Sequence, residues 1–383
     1  HFLKIFNYGI ILFEVNMVKK TFKIIAIVLA CLIGLIVLTV GGYVIYLSAT
    51  YYRIEDNLEL DIQNNYATQI TLNTEYTIST YNIGFGAYNQ NFTFFMDTGT
   101  MNDGTTFTGK ESRAESKDAV LESTNGAIST MQSLNADFMF FQEVDTSSHR
   151  SYFVNQFEML TQSFNSYANT FASNFHSGYL FYPLTKPHGT VNSGICTFSK
   201  YKIDSSTRKS FPVDTSFINK FFDLDRCFII SRLKIEGSEK ELVLINLHMS
   251  AYDEGGVIRA QQLKLLNEII LEEYSRGNYV IAGGDWNHDI ANSITEFPTE
   301  QKVPEWVNVI TKEDIPEHFN FATTKLVPTC RSAEIPYEKG VNYTVVIDGF
   351  LVSDNIEVIS SENIDTDFEF SDHNPAMIKF KLI

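Results

Sequence analysis

Six apolar stretches of this sequence each end in polar groups of a narrow chemical range. TISTYN ends at Asn82, and DFMFFQE ends at Gln142 and Glu143. ELVLINLH delivers Asn246 and His248, and YVIAGG leads into Asp285, Asn287 and His288. Asp348 sits in VIDGF, and Asp372 and His373 sit in FSDHNP. Burying a carboxylate or an imidazole at the end of an apolar strand is costly unless it pairs or meets a cation. One such residue is ordinarily a satisfied cap. Six stretches of this kind in one chain point to a shared site. Carboxylate oxygens suit a hard divalent cation, which keeps several waters and needs few protein ligands. Imidazoles and carboxylates also move protons near neutral pH.

The elements that must position these groups are short. Strands are expected at 77–85, 137–144, 193–199, 227–235, 241–249, 279–287, 345–353 and 375–382, where apolar and β-branched residues run between turn signals. Helical spacing marks 118–134 and 257–274, and Gly277 stops the second. Many strands with few helices between them predict two sheets packed face to face with helices outside. Alternation along a strand places Asn246 with His248 and Asp285 with Asn287, and sends Trp286 the other way. Gly283 and Gly284 let the backbone run close to its neighbours. His288 and Asp289 read as loop residues.

Taken in order, YN, QEV, NxHxS, GDWN, IDGFLVS and SDHNP resemble the endonuclease/exonuclease/phosphatase superfamily. That superfamily includes deoxyribonuclease I-like nucleases, abasic-site endonucleases, inositol polyphosphate 5-phosphatases and bacterial neutral sphingomyelinases. The resemblance covers 77–383 and implies a four-layer α/β sandwich with two central, mostly antiparallel sheets flanked by helices. It implies a metal-dependent phosphoric ester hydrolase using Mg²⁺, with Mn²⁺ as a substitute. Glu143 resembles the principal metal ligand, with Asn82 beside it through its side-chain oxygen and Asp372 as a further metal-side carboxylate. His373 resembles the histidine that works on the attacking water or the phosphate, and Asp348 the carboxylate that fixes a histidine's tautomer. His248 resembles a second histidine on the scissile phosphate. Asp285 resembles the group that orients or deprotonates the water, and Asn287 a donor to a phosphate oxygen. Either Asp285 or His373 can be the base. Some nucleases of the family add a tyrosine from a middle segment; here His176, Tyr179, Tyr182 and Asn192 are the candidates. Arg226 lies where deoxyribonuclease-like members carry an arginine before a strand.

Residues 24–49 carry no charged side chain, which exceeds the roughly 20 residues a spanning helix needs. Lys19, Lys20 and Lys23 precede the run, and Glu55, Asp56, Glu59 and Asp61 follow it. Positive charge stays inside, so 1–23 is expected in the cytoplasm and the bulk of the chain outside. VLAC at 28–31 resembles a lipoprotein cleavage site, but the apolar run continues past it. Met17-Val-Lys-Lys has the form of a chain start, so 1–16 are given no function. Residues 50–74 read as a stalk and 75–383 as one catalytic domain. The expected protein is a single-pass, outward-facing cell-membrane enzyme acting on a lipid head group or inositol phosphate. A secreted-side nuclease and an inactive binding module are the alternatives. Net charge is −17, and residues 1–50 carry +3, leaving −20 for the rest. That weighs against a dedicated nucleic-acid-binding module. Nothing points to a protein partner. The cysteines outside the anchor are Cys196, Cys227 and Cys330; their spacing fits no zinc site. Cys196 and Cys227 read as buried core residues, able to pair only if their strands are neighbours.

Overall fold

The computed structural model describes residues 2–222, 224–251 and 256–383, with side chains from residue 13 onward. The chain divides into two compact units, the second being Tyr52–Ile383. In the first, helix α1 runs Phe2–Thr50. Its Phe13–Thr50 portion is long and apolar enough to cross a membrane, a test that a signal sequence also passes. The helix is longer than the apolar run because the sequence holds no proline or glycine between Ile11 and Ile33 to break it. Its hydroxyls are satisfied within the helix, as Thr39 Oγ1 donates to the Leu35 carbonyl at 2.9 Å.

The second unit contains, in order, β1 (Leu58–Glu59), β2 (Glu75–Asn82), β3 (Thr98–Thr100), β4 (Thr106–Thr108), α2 (Lys117–Leu134), β5 (Phe138–Asp145) and α3 (Gln156–Ser163). Then come β6 (Ala168–Leu180), β7 (Gly189–Ser199), β8 (Ser205–Ser210), β9 (Cys227–Lys234), β10 (Glu241–His248), α4 (Val257–Ser275) and β11 (Tyr279–Asp285). The last are β12 (Phe319–Ala322), β13 (Cys330–Arg331), β14 (Thr344–Val345), β15 (Asp348–Ser353), β16 (Ile356–Asn363) and β17 (Ala376–Leu382). One sheet has the order β1-β8-β9-β10-β11-β15-β12 and the other β16-β17-β2-β5-β7-β6. Among the described residues, β2 with β5 and β10 with β11 are the strand pairs that run parallel within these sheets.

Three apolar clusters hold the layers together. Between the sheets, Tyr76, Ile78, Phe138, Phe140 and Phe380 meet Leu242, Leu244, Ile281 and Phe350. On one outer face, Leu266 and Ile270 of α4 cover Val243, Ile245, Val280 and Trp286. On the other, Ala127, Ile128 and Met131 of α2 and Leu160 of α3 cover Tyr81, Met139, Phe141 and Phe198. The fold is therefore the four-layer α/β sandwich. Ser116 starts α2 by accepting the Ala119 N–H at 3.1 Å, and Asn135 ends it in the left-handed region.

Three local expectations are revised. The 345–353 run is two strands, because the Ile347 and Asp348 N–H groups both donate to Thr329 Oγ1, at 2.9 and 3.0 Å, instead of continuing a ladder. The 279–287 strand ends at Asp285, where an Asx turn begins. Part of the segment read as a stalk packs on the domain: Leu58–Glu59 pairs with β8, and Ile70 lies in the inter-sheet core. Cys196 on β7 and Cys227 on β9 belong to different sheets, and both are free thiols.

Candidate active site

The two parallel pairings bring strand C-termini together at one edge of each sheet. Asn82 at the end of β2 is in register with Gln142 of β5, and His248 at the end of β10 with Asp285 of β11. Antiparallel β15 begins opposite, so Asp348 stands in register with Asp285. Gly284 has φ +137, and an added Cβ would collide with the Leu247 carbonyl, so only glycine allows these strands to close at this point.

Glu143 reaches the site through a bulge. Regular alternation would send it to the outer face with Phe141. The β5–β7 register instead shifts between Phe141 and Val144, and Glu143 adopts φ 54. A non-glycine residue held there is strained, and the bulge re-aims its carboxylate toward Asn82.

Asp285 Oδ2 is the centre of the cluster. It accepts from Asn82 Nδ2 at 2.9 Å and lies 3.4 Å from His248 Nε2 and 3.7 Å from His373 Nε2. His373 Nδ1 in turn meets Asp348 Oδ2 at 2.8 Å. Asn82 Nδ2 also approaches Glu143 Oε1 at 3.4 Å. The Asn82 oxygen differs from its expected role: it accepts the Gly84 N–H at 3.0 Å, so the amide nitrogen faces the carboxylates. Asp372 stands beside them, its Oδ1 3.3 Å from Ser371 Oγ, which also donates to the Asn82 carbonyl at 2.8 Å. Asn287 is brought in by an Asx turn and not by strand alternation. It adopts φ 49, its N–H donates to Asp285 Oδ1 at 2.9 Å, and its amide donates to the Met249 carbonyl at 2.9 Å.

Burial and mutual charge push these groups in opposite directions. Burial, opposed by His373 but aided by Asp348, raises the Asp285 carboxyl to about 6. Burial likewise raises Asp348 against the pull of His373. Burial alone would lower His373, but Asp348, Cys330 and Asp285 outweigh it and lift the imidazole well above its ordinary value. His248 goes well below, through burial and then the charges of Arg226, His373 and Arg150. These shifts favour the imidazolium form of His373 and the neutral form of His248, whose buried Nδ1 has no hydrogen-bond partner among the described residues. Burial raises Asp372 too, and the Glu143 charge adds to that.

A cation fits this donor set on the Glu143 side. The Glu143 charge adds to the cost of ionising Asp372, and a hard divalent ion offsets that. Ligand atoms of Asp285, Asp348 and His373 also lie within 4.8 Å of one another. The imidazolium form that its upward shift favours places positive charge of His373 between those two aspartates.

Several other residues have settled places. Trp286 is buried, and its Nε1 donates to the Gly349 carbonyl at 3.1 Å. Asp289 organises its own loop, accepting from the Ala291 and Ile294 N–H groups at 2.9 and 3.0 Å. Asn246 takes no part in the cluster; it joins the sheets through Gln142 at 2.8 Å and the Cys196 carbonyl at 2.9 Å. Of the middle-segment candidates, His176 stacks on Tyr52, Tyr179 meets His149, Tyr182 is exposed, and Asn192 donates to the Ser147 carbonyl. Arg226 is buried near enough to His248 to act on it.

Sequence reasoning missed Arg150. It is clamped by Asp145 through bonds of 2.8 and 3.1 Å, lies 3.8 Å from the Phe85 ring centroid, and acts on His248. It follows Asp145 in a polar loop with no periodicity to mark it. His188, buried against the Ser112 carbonyl, was missed for the same reason.

Residues 79–373 match the family model described as the endonuclease/exonuclease/phosphatase family. No curated protein matches the chain. Among solved structures, an endonuclease/exonuclease/phosphatase from Bacteroides vulgatus is 18% identical, with 81% of this chain and 100% of that one covered and a TM-score of 0.48. D. rerio TDP2 complexed with single-strand DNA product is 14% identical, with 81% and 100% covered and a TM-score of 0.49. The human Nocturnin catalytic domain with bound sulfate is 16% identical, with 85% and 98% covered and a TM-score of 0.49.

Proposed function

The chain belongs to the endonuclease/exonuclease/phosphatase family and is a metal-dependent phosphoric ester hydrolase; from that premise we propose how its residues divide the work and what they act on. Glu143 and Asp372 would hold Mg²⁺, or Mn²⁺ in its place, with Asn82 beside them. The bound cation neutralises charge on the phosphate. Asp285 takes a proton from the attacking water. In support, its carboxyl is raised to about 6, near the pH at which a base works best. His373 cannot take that proton while it carries its own. It donates to a phosphate oxygen, oriented by Asp348. His248 and the second Nδ2 hydrogen of Asn287 contact the same phosphate. The observation that carries this reading is the single oxygen Asp285 Oδ2, shared among Asn82, His248 and His373.

The substrate is a phosphodiester or phosphomonoester of a lipid head group or an inositol phosphate, met at the outer face of the cell membrane. The apolar run 24–49 of α1, with lysines before it and acidic residues after it, supports the anchor and its direction. The −20 charge beyond residue 50 weighs against a polyanion. Arg150 and Arg226, both close enough to act on His248, favour a metal-dependent endonuclease as the second reading. The test is hydrolysis by the full chain, with Mg²⁺ and with chelator, of sphingomyelin, inositol phosphates, plasmid DNA and a bis-aryl phosphodiester. Plasmid nicking at low enzyme without lipid turnover would reject the first reading. No Mg²⁺-dependent turnover of any substrate would leave a binding module.

A further inference from the structure

The guanidinium of Arg150 is fixed from two directions. Asp145, on β5 two residues past Glu143, is fully buried. Its Oδ1 accepts from Arg150 Nη2 at 2.8 Å, and its Oδ2 accepts from Arg150 Nε at 3.1 Å and from Ser151 Oγ at 2.7 Å. The guanidinium carbon lies 3.8 Å from the Phe85 ring centroid and 5.7 Å from that of Phe175. Fork and rings together set where the remaining N–H groups point. Arg150 is 6% exposed, yet its Nη1 has no hydrogen-bond partner among the described residues. The Nε–Nη2 edge is enough to balance Asp145, so the carboxylate does not account for the free Nη1 edge. A charged donor taken out of water and left unpaired is costly, and an anionic ligand offsets that cost.

Arg150 stands at the candidate active site. The ring it packs on, Phe85, follows Gly84, whose N–H donates to the Asn82 side-chain oxygen at 3.0 Å. A Cβ on Gly84 would stand 3.0 Å from Asp372 Oδ1. Arg150 thus rests on the segment that lines Asn82 and Asp372. Its charge reaches Glu143 at the bulge of β5 and His248 at the end of β10. It is therefore within range of both the metal side of the site and the histidine assigned to the phosphate. His188 adds no competing cation, because burial and then the Arg150 charge lower its imidazole to about 4.

We propose that Arg150 Nη1 binds a non-bridging oxygen of the scissile phosphate and stabilises the charge that gathers there as water attacks. The proposal rests on reading Glu143, Asp285 and His248 as the phosphoester site, and it holds whatever group the phosphate carries. A planar donor fixed by Asp145 and Phe85 before the substrate arrives needs no reorganisation in the transition state. Asp145 is then a positioning residue: it sets the guanidinium without touching the phosphate.

The test uses the full chain with Arg150→Lys, which keeps a cation for Asp145 but loses the fork. Three quantities are read: kcat/KM for a bis-aryl phosphodiester at saturating Mg²⁺, the calorimetric affinity for inorganic phosphate with Mg²⁺ present, and the rise in Tm that Mg²⁺ alone gives. Arg150→Lys is expected to lower kcat/KM on the order of a hundredfold and to weaken phosphate about tenfold. The Mg²⁺-induced rise in Tm stays, because Glu143 and Asp372 are untouched. If Arg150→Lys does not melt cooperatively, the double variant Asp145→Asn, Arg150→Gln, neutral at both ends of the buried pair, takes its place with the same expectations. A folded variant with unchanged phosphate affinity and unchanged kcat/KM overturns the contact. Loss of the Mg²⁺-induced rise in Tm overturns it too, since Arg150 would then act through the metal site. Absence of Mg²⁺-dependent turnover in the wild type overturns the hydrolase reading instead, and the dependence of phosphate affinity on Arg150 still decides the contact.

Discussion

Asp348→Asn isolates the pair on which the proposed chemistry turns. The replacement keeps the shape of the side chain and removes the charge that faces His373 Nδ1 at 2.8 Å. Breaking a buried ion pair by removing one partner costs about 3–5 kcal/mol. That is a cost in fold stability; in turnover, an imidazole no longer held in place by its carboxylate predicts a loss on the order of a hundredfold in kcat/KM at pH 7. The pH profile gives a sharper readout. Turnover requires Asp285 ionised and His373 protonated, so activity rises through about 6 and falls where His373 loses its proton. Asp348 raises both groups, Asp285 by repulsion and His373 by attraction. Its neutralisation therefore moves both limbs of the bell to lower pH. The assay is kcat/KM against pH for a bis-aryl phosphodiester at saturating Mg²⁺, with the His373 ring proton followed by NMR in metal-free protein. Activity within threefold of wild type with an unmoved profile, or a His373 that titrates at its ordinary value in the wild type, would refute the reasoning.

Further predictions concern the neighbours. Asp285→Asn should abolish turnover yet stabilise metal-free protein at pH 7. The carboxyl's folded value of about 6 exceeds its ordinary 3.8, so the fold loses stability as pH rises through that window. The difference is worth about 3 kcal/mol at most, and urea melts at pH 4 and pH 7 measure it. Glu143→Gln should remove the rise in Tm that Mg²⁺ gives the wild type, and lower Mg²⁺-dependent turnover by at least a hundredfold; thermal melts with and without the ion check this. Trp286→Ala should cost about 3–5 kcal/mol, because a fully buried indole and its bond to Gly349 are lost; denaturant melts read it. Gly284→Ala should prevent folding, since its methyl would meet the Leu247 carbonyl at a φ that alanine avoids; circular dichroism of the purified chain decides it.

The sequence by itself determined the class of fold and named the groups that the structure gathers at the candidate site. Polar residues at the ends of apolar strands carry their own signal, because burying them is costly unless they converge. The helices at 118–134 and 257–274 were legible from spacing that each one's apolar face needs for its sheet. Trp286 was legible as core from its place between polar neighbours. Tertiary structure decided the rest. Glu143 reaches Asn82 through a bulge, which depends on the pairing of β5 with β7 and not on the residues around Glu143 alone. Asn287 meets Asp285 through a turn, where alternation had predicted the same neighbours for another reason. The proposal of Asp285 over His373 as base rests on the field of Asp348 and on burial, both set by residues distant in sequence. Arg150 and His188 sit in loops, where no periodicity links a residue to its position, and only the packed fold brings their charges to the cleft. The strands of β6, β8 and β16 were missed because they are rich in serine, threonine and asparagine; their pairing in the ladder, not side-chain pattern, makes them strands.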